Sequence, residues 1–111
     1  MELTIRHEGD VSIVEISGRI LVGEGDQKMR DAIEGLFEEG RGRIVLILEK
    51  VPYLDSAALG QLVALQVRAN KKGVSLKLAG LNHVFRNMLA MMKLTEVFEI
   101  YERQEDAIAS F

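Results

Sequence analysis

Cysteine is missing from the 111 residues, and histidine occurs only twice, at His7 and His83. The first absence excludes a disulfide framework and thiolate metal sites. The second, with the two imidazoles far apart in the chain, leaves no expectation of a metal or a metal cofactor. No apolar run approaches the roughly 20 residues that a membrane span requires, so no membrane association is expected. There is no basic excess either: 14 Lys and Arg stand against 17 Asp and Glu, a formal charge of -3. A nucleic-acid binder would carry a basic face, so no direct nucleic-acid partner is expected. The amino terminus has neither the basic nor the apolar segment of a secretory signal, and a cytoplasmic location is expected.

What is present is a globular balance, 48% hydrophobic and 28% charged, in a length that suits one domain spanning residues 1–111. Leu3 and Ile5 alternate with Glu2, Thr4 and Arg6 as a half-buried strand, and Glu8-Gly9-Asp10 supplies the turn of a hairpin. Val11 to Ile20 is more apolar and predicts a better covered second strand. Asp26 is the expected N-cap of a helix with Met29, Ala32, Ile33, Leu36 and Phe37 inward, Asp31, Glu34, Glu38 and Glu39 on a solvated acidic face, and Gly40 as its stop. Ile44 to Leu48 contains no polar residue and predicts a central strand covered on both faces.

The one proline, Pro52, breaks that strand. A helix from Ser56 follows, with Ala58, Leu62, Leu65 and Ala69 on one apolar stripe, Leu59, Val63 and Val67 on another, and the small and polar line Ala57, Gln61, Ala64, Arg68 expected to face solvent. Val74, Leu76 and Leu78 alternate with Ser75 and Lys77 as a fourth strand. Asn82 caps a third helix with Val84, Phe85, Met88, Leu89 and Met92 inward, the methionines reading as core filler. Val97 to Tyr101 predicts a last strand and Gln104 to Phe111 a last helix. The order ββαβαβαβα predicts an α/β domain with a mixed, mostly parallel sheet, a leading hairpin and about four helices.

In such sheets, sites gather at the carboxyl ends of the strands. Three segments are expected to meet there: Arg19 to Asp26, Lys50 to Ala57, and Gly80 to His83. Ser56 is the residue of interest. It lacks the Gly-x-Ser-x-Gly elbow of a hydrolase nucleophile, and neither histidine offers an evident base, so no enzyme activity is expected. As an N-cap it would accept one backbone hydrogen bond, worth about 1 kcal/mol. As a phosphoacceptor it would place a dianion where helix amides tolerate one, next to Asp55.

Val51-Pro52-Tyr53-Leu54-Asp55-Ser56-Ala57-Ala58-Leu59-Gly60 resembles the signature of the STAS domain, in particular of the bacterial anti-sigma-factor antagonists. Ile16 to Ile20 lies where that family has a Gly-acidic-Leu-Asp segment, and Lys93-Leu94 through Phe98 to Tyr101 matches its tail. The resemblance implies a partner-switching regulator without a cofactor. Its unphosphorylated form would bind an anti-sigma factor that is also a serine kinase and release a sigma factor. Phosphorylation of Ser56 would end that binding, and a PPM-type phosphatase would reverse it. The implied partner surface is Asp55, Ser56, Ala57, Gln61, Ala64 and Arg68, with Gly23, Gly25 and Asn82 beside it. Ala57 stands where the family has a second hydroxyl, Ala58 where it has glycine, Arg19 where it has an acid and Leu21 where many members have Asp. The alternative is a diverged STAS module that binds a nucleotide or lipid through Gly23-Glu24-Gly25, or that serves as a scaffold in another regulatory complex.

Overall fold

The computed structural model describes residues 1–111 as one five-stranded sheet with four helices. Strands β1 (Glu2–Glu8) and β2 (Val11–Ser17) form the hairpin, turning at Gly9 with φ +61°. Helix α1 (Gly25–Glu38) leads to β3 (Arg43–Lys50), α2 (Ser56–Lys72) to β4 (Ser75–Ala79), and α3 (His83–Met91) to β5 (Glu99–Tyr101), with α4 (Gln104–Ala109) last. The sheet order is β1-β2-β3-β4-β5, and every pair after the hairpin is parallel. This is the expected α/β architecture, element for element.

The uninterrupted apolar run of β3 explains the layering, because successive side chains of a strand point to opposite faces. Ile44, Leu46 and Leu48 join a front cluster of 23 buried residues that takes Met29 and Ile33 from α1, Leu62 and Leu65 from α2, and Phe85 and Leu89 from α3. Val45 and Ile47 join a back cluster of six, closed by Ala107 of α4. Lys77 of β4 also faces the back and is buried, not solvated as its alternation suggests. Its ammonium donates to Ser110 Oγ at 2.6 Å, lies 2.9 Å from Glu99 Oε2 and sits 4.0 Å from the Phe111 ring centre.

Several expected details are corrected. Asp26 does not cap α1. It already lies inside the first turn, where its carboxylate accepts from the Gln27 NH, and the cap position falls to Glu24, which makes no side-chain cap bond. Glu34 is not free in a solvated acidic face, because its Oε1 lies 2.7 Å from Nη2 of Arg68 on α2. In α3, Val84 and Met92 point outward and are 73% and 53% exposed, together with Met91 at 84%. Of the methionines only Met29 is fully buried. Only Phe85 and Leu89 of α3 are buried, so its apolar residues outnumber the positions that the front core takes from it.

Candidate functional site

The carboxyl edge of β3 is held by its backbone. Ile20 bridges Leu54, the Ile20 NH donates to the Tyr53 carbonyl at 3.0 Å, and the Asp55 NH donates to the Ile20 carbonyl at 3.1 Å. From the other side, Asn82 Nδ2 donates to the carbonyls of Val51 (3.1 Å) and Pro52 (3.3 Å), while its Oδ1 caps α3 by accepting from the Phe85 NH. The three segments expected to meet do so: the first reaches Tyr53 and Asp55 through Ile20, and the third reaches Val51 and Pro52 through Asn82.

Asp55 organises the junction. Its backbone is extended (φ -84°, ψ 176°), its Oδ1 accepts from the Ala58 NH and its Oδ2 from the Val22 NH, both at 2.8 Å. One carboxylate thus starts α2 and pins the β2–α1 loop to it. These amide hydrogen bonds, first that from Ala58 and then that from Val22, lower the Asp55 pKa below its ordinary 3.8.

The cap is therefore Asp55, and the expectation that Ser56 caps the helix is corrected. Asp and Ser are both good N-caps, and the extended backbone that the cap position needs occurs at Asp55. Ser56 is the first residue of α2, exposed, and its hydroxyl takes part in none of the hydrogen bonds within the protein. No hydrogen bond joins it to a base: His7 Nδ1 lies 3.0 Å from Ser12 Oγ at the far hairpin, and His83 is exposed at the start of α3.

The other expected site residues divide. Gly23 (φ +102°) makes the turn that the β2–α1 loop requires, and Gly25 is buried against Ile20, where an added Cβ would lie 3.4 Å from the Ile20 Cα. Asn82 is at the junction itself. Ala57 is exposed, but Gln61, Ala64 and Arg68 are half-buried, with Arg68 turned to Glu34 of α1. The solvent-facing line of α2 instead runs through Ser56, Gly60, Val67 and Lys71. Val67, expected inward, is 44% exposed.

Sequence reasoning missed a largely apolar cleft between the Pro52–Leu54 segment and α3, lined by Pro52, Tyr53, Leu54, Asn82, Val84, Phe85 and Met88. Its signal was the surplus of apolar residues in α3. Tyr53 is 53% exposed at its rim.

Comparison with known proteins adds the following. A family model described as STAS domain matches residues 2–107. A STAS-domain containing protein of Pseudomonas aeruginosa (strain UCBPP-PA14) is 33% identical over 93 residues, 84% of this chain and 90% of that protein. An anti-sigma F factor antagonist of Paenibacillus polymyxa is 24% identical over 97% of this chain and 92% of its own length. Among solved structures, a candidate anti-sigma factor antagonist from Thermotoga maritima superposes with a TM-score of 0.89 at 20% identity, covering 97% of this chain and 92% of that one. The Bacillus cell fate determinant SpoIIAA in its phosphorylated form gives 0.77 at 14% identity over 98% of each chain. At these identities the two structures speak for the fold.

Proposed function

The chain belongs to the STAS domain family, and from that premise we propose that it is a cytoplasmic anti-sigma-factor antagonist, switched by phosphorylation at Ser56. The observation that carries this reading is the division of labour at the start of α2. Asp55 satisfies the helix start, so the neighbouring hydroxyl is left exposed and without a structural duty. Similarity to an anti-sigma F factor antagonist supports the partner class.

In the unphosphorylated state the surface around Ser56 binds an anti-sigma factor with serine kinase activity, and a sigma factor is released. The kinase then transfers the γ-phosphoryl group of ATP. A bond forms between Ser56 Oγ and phosphorus, the bond from phosphorus to the β,γ-bridging oxygen breaks, ADP leaves, and the hydroxyl proton passes to a base of the kinase. The product carries about -1.5 to -2 charges at a helix N-terminus, where free amides and the helix dipole accommodate it. The fold survives while the docking surface gains a dianion beside Asp55, and a PPM-type phosphatase restores the hydroxyl.

Incubation with the kinase and ATP, followed by intact mass measurement, gives one added phosphate on the wild type and none on Ser56→Ala. An equal phosphate on Ser56→Ala overturns the site assignment.

A further inference from the structure

The two free edges of the sheet are unlike. Strand β5 has three residues, too few to template a further strand. Strand β1 has seven and no proline, and alternate residues along it turn their N–H and C=O groups away from β2 toward solvent. All its residues but the half-buried Leu3 are exposed, Ile5 to 41%. The register with β2 fixes the faces. Leu3 and Ile5 stand opposite Ile16 and Val14 and lie on the front of the sheet. Glu2, Thr4 and Arg6 lie on the back, with Arg6 opposite Ile13 and 2.8 Å from Oε1 of Gln104 on α4.

A long exposed edge invites another strand, and proteins blunt such edges with charge that repels an incoming copy. The charges of β1 repel a copy in some alignments and attract it in one. Two antiparallel copies related by a two-fold axis normal to the sheet can meet in few registers. An axis at Ile5 sets Glu2 against the partner's Glu8, and an axis at Arg6 sets that guanidinium against itself. An axis at Thr4 sets Glu2 against the partner's Arg6 twice over on the back, Leu3 against the partner's Ile5 twice over on the front, and Thr4 against its own copy at the centre. Axes nearer either end of the strand shorten the overlap. Opposite charges, apolar pairs and Thr–Thr pairs are the cross-strand neighbours that stabilise an antiparallel ladder. Glu2 forms no ion pair within its own chain, and Arg6 approaches a carboxylate, that of Glu8, only to 3.8 Å.

We propose that β1 is an interface with a second copy of this chain: two β1 strands pair antiparallel about Thr4 and join the two sheets into one. Two-fold closure leaves only the short β5 edges outside, so assembly stops at two. One strand pair buries less than the roughly 1,200 Å² at which standard interfaces begin, so the dimer is weak, with a dissociation constant of about micromolar or above. The pairing uses no residue of the Asp55–Ser56 junction and stands independently of the antagonist reading.

The test is sedimentation velocity of the full chain from micromolar to submillimolar concentration, for the wild type, Glu2→Arg and Glu2→Arg/Arg6→Glu, with circular dichroism as the check on the fold. The expected result is a concentration-dependent dimer in the wild type. Glu2→Arg turns two opposite-charge contacts into like-charge ones and should raise the dissociation constant about tenfold, and the double variant, whose ion pairs are exchanged, should recover. Because the chain has no cysteine, single cysteines report the register. Thr4→Cys faces its own copy and should form a disulfide-linked dimer under mild oxidation. Ile5→Cys faces the partner's Leu3 and should not, since its own copy lies beyond disulfide reach. A monomer at every concentration, with no crosslink through Thr4→Cys, overturns the proposal. A wild-type dimer that Glu2→Arg leaves unchanged overturns it as well, because the contact then lies on another face. So do a folded double variant that stays monomeric and a crosslink through Ile5→Cys in preference to Thr4→Cys.

Discussion

The two faces of the sheet are held by different means. The front gathers 23 buried residues under three helices. The back gathers six under one helix of six residues, fastened by the Lys77 ammonium to Ser110, Glu99 and the Phe111 ring. Bulk apolar burial is nondirectional and cooperative, whereas a latch of a few polar contacts can open locally. The edge that carries Ser56 belongs to the front, through Leu54, Ala58 and Leu59, so its geometry draws on the larger store of stability.

The comparison breaks first at Leu62, which is fully buried in the front cluster. Leu62→Ala is expected to cost about 3 kcal/mol, read as a lower urea midpoint, and, on the proposed function, to slow phosphorylation of Ser56 by loosening α2. A smaller effect, about 1.5 kcal/mol, is expected for Lys77→Ala, because the half-exposed Glu99 regains water when its partner is lost. Hydrogen exchange should then accelerate in α4 and not in α2, and phosphorylation at Ser56 should keep its rate. A slowed rate there would mean that the two faces are coupled and the contrast is false.

The smallest effect is the one with pH. Asp55 on the site edge and Glu99 on the back both have pKa values lowered below their ordinary 3.8 and 4.5, the first by backbone amides and the second chiefly by the Lys77 hydrogen bond. A carboxyl whose folded pKa lies below its unfolded one stabilises the fold above the unfolded value and loses that contribution as pH falls through the folded value. Thermal melts of Asp55→Asn should therefore fall below wild type at neutral pH and converge with it in acid. Lys77→Ala should flatten the Glu99 share of the same acid limb and leave the Asp55 share.

Much of this was legible. Periodicity and the single proline define every element in order, and the Asp55-Ser56 pair marks the junction. The errors arise where the sequence is degenerate. Two adjacent residues both suit an N-cap, and only the extended backbone at Asp55 decides between them. Helix α2 has apolar residues on more than one side, and its neighbour α1 decides that Arg68 turns inward toward Glu34 while Val67 faces out. Helix α3 has a sound helical period, but that period cannot tell that the sheet covers only one flank.

Strand order that repeats chain order has a kinetic consequence. Each parallel pair is closed by the crossover between its two strands, so no early segment waits for a distant one, and the sheet can grow in the direction of synthesis. By the time β4 pairs with β3, the Asp55 carboxylate already has both of its amide donors, Val22 and Ala58, within the emerged chain. The Asp55 cap can therefore form before α3 and α4 exist, and the bonds from Asn82 to the Val51 and Pro52 carbonyls close the junction afterwards.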